Sequence, residues 1–273
     1  MPLFTVDHEK CKRDGLCVAE CPAMLIEIAG KEDFPSPIAG AEELCIDCGH
    51  CVAICPQGAL SLKTMISEDC PPVRKDLLLT AEHCEHFMRS RRSIRKYKEE
   101  PVPRDLLTRL IEVARYAQTG SNSQPVHWLV IQEAEEVNRL AGLVADWVRF
   151  MLKENTEYAL SIHMDRLIEA WDKGLDRILR NAPHLILAHG LSTLTASQPA
   201  CIIALTYLEM AAPSLGLGTC WAGYFTAAAN AYLPLQQALA LPQDHLTYGA
   251  VMVGYPKYRY QRMPQRNELK ITW

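Results

Sequence analysis

The sequence predicts an α+β protein in two parts, a small cysteine-rich domain followed by a longer body in which helices flank a sheet. Three observations carry that prediction. Seven of the eleven cysteines fall within residues 11–55. Charge is divided unevenly, with five Lys/Arg against ten Asp/Glu over residues 1–63 and 23 against 22 over residues 64–273. In the second part, helical apolar periods alternate with short apolar runs and polar turns. The length of 273 residues suits about two domains at ~150 residues each. The segment Ser67–Asp76, with Pro71 and Pro72, reads as a linker because paired prolines resist helix and sheet. The expected division is 1–65, a linker over 66–85, and 86–273.

Composition excludes several classes. With 49% hydrophobic and 22% charged residues, the chain is neither disordered nor fibrous. A net charge of −4 argues against nucleic acid as a partner. The best apolar stretch, near Ala200–Leu208, falls short of the ~18 apolar positions of a membrane span. The opening MPLFTVDHEK has no basic region followed by an apolar one, so the sequence predicts no leader and a cytoplasmic protein. Clustered cysteines in such a setting point to metal rather than to disulfides.

The first part repeats at an offset of 34 residues. Cys17-Val18-Ala19-Glu20-Cys21-Pro22 recurs as Cys51-Val52-Ala53-Ile54-Cys55-Pro56, and the same offset aligns Gly15 with Gly49, Cys11 with Cys45 and Asp14 with Cys48. Each half continues into a short apolar run, Met24–Ile28 and Ala59–Leu62, expected as strands. The second half reads Cys-x2-Cys-x2-Cys-x3-Cys-Pro, the bacterial iron–sulfur run. Structural zinc also uses Cys-x2-Cys pairs, but two three-cysteine runs closing in Cys-Pro are not zinc-finger spacing.

Residues 1–63 thus resemble the two-cluster bacterial-type ferredoxins, which implies a ferredoxin-like iron–sulfur domain. Carried over position by position, the resemblance implies one [4Fe-4S] cluster held by Cys45, Cys48, Cys51 and Cys21. The other cluster falls to Cys11, Cys17 and Cys55, with Asp14 in the place of the fourth thiolate. A carboxylate is a harder ligand than a thiolate. That cluster is therefore either a [4Fe-4S] with an Asp ligand or a [3Fe-4S].

The second part opens on Arg89–Lys98, RSRRSIRKYK, with six positive charges, no acid, and Ile94 and Tyr97 at helix-like spacing. Asp105–Ala117 has a helical apolar period. The polar turn Gln118–Pro125 follows, then Trp128–Ile131 as a buried strand. Later come a long helix over Gln198–Pro213, the segment Leu215–Phe225 (LGLGTCWAGYF), a last strand over Tyr248–Pro256 and an Arg-rich tail. Cys201 and Cys220 are expected to pack rather than react. Cys70 and Cys84 carry no assigned site, and His83, His86 and His127 are expected to be surface or structural. Trp147, Trp171 and their apolar neighbours are expected to pack as cap helices over about 135–180.

The order of these segments over residues 86–273 resembles the nitroreductase family of FMN enzymes. The resemblance implies a nitroreductase-like α/β sandwich, with a central mostly antiparallel sheet flanked by helices, and an FMN cofactor. It places phosphate and ribityl contacts on Arg91, Ser93 and Arg95, in a donor cluster that includes Arg92. Arg262 and Arg266 close over the phosphate, with Lys257 or Arg259 as alternatives. Guanidinium forks suit a dianionic phosphate. Ser121, Asn122, Ser123 and Gln124 are able to bond ring nitrogens and carbonyls, and Trp221, Ala222 and Gly223 lie in what the resemblance implies is a loop under the flavin. Gly218 and Gly223 are expected to admit the ring closely, since a Cβ would obstruct it.

Clusters that move one electron, joined to a flavin that stores one or two, imply an oxidoreductase. The expected acceptor is a small organic molecule, namely a nitroaromatic, a quinone or an activated alkene. The expected donor is a redox protein or NAD(P)H, although no dinucleotide fingerprint is present. An electron-transfer flavoprotein relaying charge between protein partners and a redox sensor are the alternatives. The resemblance also implies a homodimer, with the apolar helix Pro199–Ala212 as a candidate seam. No side chain is assigned as catalytic acid.

Overall fold

The computed structural model describes residues 2–273 and divides the chain into two units. One runs to Leu78 and includes Ser121–Ser123; the other holds Leu79–Gly120 and Gln124–Trp273. The main division falls within the segment 66–85 expected as a linker, which contains single-turn 3-10 helices at Ser67–Asp69 and Lys75–Leu77.

The first unit carries strands β1 (Phe4–Val6), β2 (Ile26–Glu27), β3 (Ser36–Pro37) and β4 (Leu60–Leu62), with helices α1 (Leu16–Glu20), α2 (Ala41–Leu44) and α3 (His50–Ala53). The sequence repeat reappears in the backbone. Left-handed residues at Arg13, Gly15 and Met24 recur 34 positions on at Asp47, Gly49 and Gly58. Gly15 and Gly49, at φ +74° and +72°, begin α1 and α3, where glycine adopts this conformation without steric cost. Pairing crosses between the halves: β1 lies antiparallel to β4 and β2 to β3. Phe4, Ile26, Val52, Leu60 and Leu62 form the small core, which Cys17 joins.

The second unit begins with α4 (Ala81–Ser90), whose Thr80 hydroxyl accepts the His83 N–H as an N-cap. Then come α5 (Arg104–Ala114), β5 (His127–Ile131), α6 (Ala134–Glu154), α7 (Thr156–Ser161), α8 (Met164–Asp172), β6 (His184–Leu191), α9 (Ser197–Ala211), β7 (Gly218–Trp221), α10 (Gly223–Ala231), α11 (Leu233–Leu239) and β8 (His245–Gly254). The sheet order is β5-β6-β8-β7, and every pair is antiparallel. Alternation splits the two central strands between two cores. Leu185, Leu187, Ala250 and Met252 pack with α6, α10 and α11, while Ile186, Ala188, Val251 and Val253 pack with α5 and α9. Full burial of each leucine, isoleucine, valine or methionine among these contributes about 1.5–3 kcal/mol. No helix among the described residues is long and apolar enough to cross a membrane.

Two segments differ from the sequence expectation. The LGLGTCWAGYF segment is not simply a loop: Gly218–Trp221 pairs with Val251–Gly254 as an edge strand, and α10 starts at Gly223. The arginine run beyond Ser90 is extended rather than helical, because its backbone bonds elsewhere. Ile94 N–H donates to Thr219 O at 2.8 Å, Lys98 N–H to Tyr255 O at 2.9 Å, and Lys96 O accepts from Lys257 N–H at 3.0 Å.

Candidate functional site

In the first unit, the cysteines sort into two separate cavities. Cys21, Cys45, Cys48 and Cys51 line one of about 360 Å3, walled by Phe4, Leu25, Ile26 and Leu62. Cys11, Asp14, Cys17 and Cys55 line another of about 370 Å3. Each set takes three donors from one half of the repeat and one from the other. Where the chain leaves each Cys-Pro turn, an amide points back at sulfur: Leu25 N–H donates to Cys21 Sγ and Ala59 N–H to Cys55 Sγ, both at 3.3 Å. Burial pushes the Cys51 thiol up to about 11, with Cys48 and Cys21 adding to the rise, and burial also raises Cys17. Thiols crowded this way resist ionising alone but suit a multinuclear cation that absorbs their charge. The donor sets therefore fit iron–sulfur clusters. Asp14 also has a local structural role, since its Oδ1 accepts the Leu16 N–H at 3.2 Å where α1 starts.

In the second unit, the arginine run straddles β7. Arg91 and Arg92 line a cavity of about 1,410 Å3 with Lys98, Gly218, Thr219, Lys257, Arg259, Tyr258 and Tyr260. Arg95 lines a different cavity, of about 860 Å3, with Cys220, Trp221, Gly223, Tyr224, Trp147, Arg177 and Arg180. Ser93 lies between them in sequence, and its carbonyl accepts from the Tyr260 hydroxyl at 3.5 Å. Ala222 is buried and lines neither cavity. In the tail, Lys257 and Arg259 line the larger cavity, whereas Arg262 and Arg266 are exposed and line neither.

The two glycines differ. A Cβ on Gly218 would sit 2.4 Å from Ile94 Cγ1, so this glycine lets the arginine run seat on β7. That corrects the expectation that it admits an aromatic ring. A Cβ on Gly223 would meet nothing within 4 Å, and this residue opens on the 860 Å3 cavity.

The polar turn has left-handed Ser121, Asn122 and Gln124. Ser121–Ser123 belongs to the first unit, where Asn122 Nδ2 donates to Asp47 O at 2.9 Å. Gln124 N–H donates to Thr119 Oγ1 at 3.0 Å. Cys201 is fully buried, and burial pushes its thiol up to about 12; burial also raises Cys220, so both behave as packing thiols.

Three residues escape the sequence pattern. Glu209 is 7% exposed, and its Oε2 accepts the Trp221 indole N–H at 2.5 Å. Its Oε1 lies 3.3 Å from Thr219 Oγ1 and 3.6 Å from Arg91 Nη1. The available signal is a single acid in the apolar run Ser197–Pro213. Arg177 and Arg180 lie in the segment that reads only as cap, and no sequence pattern marks them.

Comparison with known proteins places this geometry. Residues 88–255 match the model of the nitroreductase family. The chain belongs to the nitroreductase family. Residues 9–60 match a 4Fe-4S dicluster domain, so this nitroreductase-family enzyme carries an iron–sulfur domain ahead of its oxidoreductase unit. A relative described as a putative NADH dehydrogenase/NAD(P)H nitroreductase from Archaeoglobus fulgidus is 21% identical, covering 64% of this chain and 87% of its own. An iodotyrosine deiodinase from Thermotoga neapolitana is 24% identical, covering 68% of this chain and 94% of its own. A crystal structure of a nitroreductase with bound FMN from Desulfitobacterium hafniense superposes with a TM-score of 0.57 at 22% identity, covering 71% of this chain and 99% of that one. The fold is the nitroreductase fold.

Proposed function

We propose that this nitroreductase-family chain binds two iron–sulfur clusters and FMN and reduces a small organic acceptor, a nitroaromatic, a quinone or an activated alkene. The observation that carries the reading is the sorting of seven cysteines and Asp14 into two cavities on the same polypeptide as an arginine-flanked β7. When bound, such clusters supply one-electron relay and FMN supplies one- or two-electron exchange.

The chain's own groups then bind and orient. Cys21, Cys45, Cys48 and Cys51 would hold a [4Fe-4S] cluster, and Cys11, Cys17, Cys55 and Asp14 the second. Arg91, Arg92, Ser93 and Arg95, with Lys257 and Arg259, supply cationic and hydroxyl donors suited to a phosphate. Trp221 and Gly223 supply a floor with room above Gly223, and Ala222, its N–H donating to Ala250 O at 2.8 Å, pins that floor to β8. The occurrence of FMN in the Desulfitobacterium hafniense nitroreductase supports the cofactor. The NAD(P)H named for the Archaeoglobus fulgidus relative supports a nicotinamide donor beside a redox protein. A homodimer is part of the proposal; α9 is largely enclosed by α5 and the sheet, and Ile202 and Tyr207 are its exposed large side chains.

The test is anaerobic. Iron, sulfide and flavin are measured on purified protein, which is then reduced with dithionite, desalted and mixed with a nitroaromatic or a quinone. Reoxidation of the flavin band by the small acceptor is the expected result. A flavin that stays reduced until a protein acceptor is added would point to the relay reading, and protein lacking both chromophores would sink the proposal.

A further inference from the structure

The 860 Å3 cavity of the second unit holds two arginines, Arg177 and Arg180, that the phosphate reading of Arg95 and its neighbours does not use. Arg95, Arg177 and Arg180 all line it, and its lining includes no Asp or Glu. None of the three forms a salt bridge among the described residues. The nearest acid in sequence, Asp176, acts on Arg180 by its charge but takes its hydrogen bonds from the backbone. Its Oδ1 accepts the Ile178 and Leu179 N–H groups at 2.7 and 2.9 Å, and its Oδ2 the Asn181 N–H at 2.8 Å. Arg180 is partly buried, and its backbone and that of Asn181 are left-handed, at φ +64° and +50°. Two successive non-glycine residues in this region, just before the central strand, mark a local cost that the site's geometry retains.

The other walls are aromatic. Trp147 is buried, with an indole N–H that finds no partner among the described residues, and Tyr158 and Tyr224 complete that side. Tyr224 is held in place, its hydroxyl donating to Ile162 O at 3.1 Å. An unneutralised guanidinium group beside aromatic walls recognises a flat ligand bearing a planar anion, since the guanidinium fork pairs with both oxygens of a carboxylate.

We propose that this cavity selects an aromatic acceptor carrying a carboxylate, held by Arg177 and Arg180 with its ring between Trp147, Tyr158 and Tyr224. The inference rests on reading the β7 flank as the flavin site, with Arg91, Arg92, Lys257 and Arg259 on the other side of the strand available for the cofactor phosphate.

Calorimetric titration of purified, flavin-containing protein with 4-nitrobenzoate and with nitrobenzene tests it, since the pair differs by one carboxylate. The expected result is binding of 4-nitrobenzoate at least about tenfold tighter. Arg177→Gln and Arg180→Gln should each pull that ratio towards one, and Arg180→Lys should retain most of it. Raising ionic strength to about 1 M should also shrink the ratio, a readout that needs no variant. A ratio near one in the wild-type protein, or one that survives both glutamine substitutions and high salt, overturns the inference. So does loss of flavin from Arg180→Gln protein whose ratio is intact, because Arg180 would then serve the cofactor phosphate. A colourless preparation overturns the flavin reading along with this one, whereas a yellow preparation without the preference overturns this one alone.

Discussion

Glu209 and Trp221 are joined by a hydrogen bond of 2.5 Å between carboxylate Oε2 and indole Nε1, formed where an otherwise apolar helix crosses an edge strand. The same carboxylate faces Thr219 and Arg91, so one buried acid ties α9 to β7 and to the arginine run. Removing it leaves a partly buried indole N–H and a guanidinium group without their acceptor. Glu209→Ala is expected to cost about 2–3 kcal/mol in urea unfolding. Glu209→Gln keeps an acceptor for the indole and should cost about 1 kcal/mol. Equal losses in the two variants would show that the hydrogen bond contributes little.

The cysteine cavities predict a pairing that sequence neighbours do not share. Cys21→Ser should remove the same spectroscopic signal as Cys48→Ser, while Cys17→Ser, four residues from Cys21, should match Cys55→Ser. Each should lower iron per chain by about half. Iron analysis and paramagnetic resonance of the four variants decide it, and a Cys21 phenotype matching Cys17 would refute the crossed assignment.

Asp14→Cys should raise iron content or change the resonance of the second cluster, by completing a thiolate set. Unchanged iron and an unchanged spectrum would leave Asp14 as no more than the group that caps Leu16 at the start of α1.

Gly218→Ala places a methyl group 2.4 Å from Ile94, and overpacking of this kind costs typically about 1–3 kcal/mol. The variant should melt lower and retain less flavin on gel filtration, as the arginine run lifts from β7. Adding Ile94→Ala should recover part of both losses. If the double variant is no better than the single one, the clash is not the cause.

Stability should fall on acidification because of buried imidazoles. His189 is pushed down to about 4 by burial first and then by the charges His245 and His127 would carry. Its Nδ1 lies 2.9 Å from His245 Nδ1, a spacing that requires one neutral ring. His184 is also lowered by burial, and its Nε2 accepts the Val102 N–H at 2.7 Å. Between about pH 4 and the ordinary histidine value of about 6.5, the unfolded chain binds protons that the folded chain refuses. Stability therefore rises with pH through that window and falls as pH drops through it, by up to about 3 kcal/mol for His189. Chemical denaturation at pH 7 and pH 5 measures the difference, which His189→Asn should reduce.

What the sequence discloses follows the range of the forces involved. Cysteine spacing, the apolar period of α5 and the long apolar stretch that forms α9 are local and legible, as is the membership of Trp128–Ile131 in a strand. The arginine run has helix-like spacing yet is extended, because its partners, Thr219 and Tyr255, lie more than a hundred residues away. Gly218 reads in the sequence as a glycine beside a cofactor, whereas its neighbour is Ile94. Arg180 gives no signal of its own, since its placement depends on a left-handed turn at Arg180-Asn181 in which only the asparagine is a residue type that favours that conformation.

The interlaced halves of the first unit have a consequence for how it can be divided. Since β1 joins β4, β2 joins β3, and each cavity borrows one sulfur from the opposite repeat, a cut near residue 34 yields two fragments that are both incomplete. Neither would own a full ligand set or a complete pair of ribbons, so one half alone is not a substitute for the tandem.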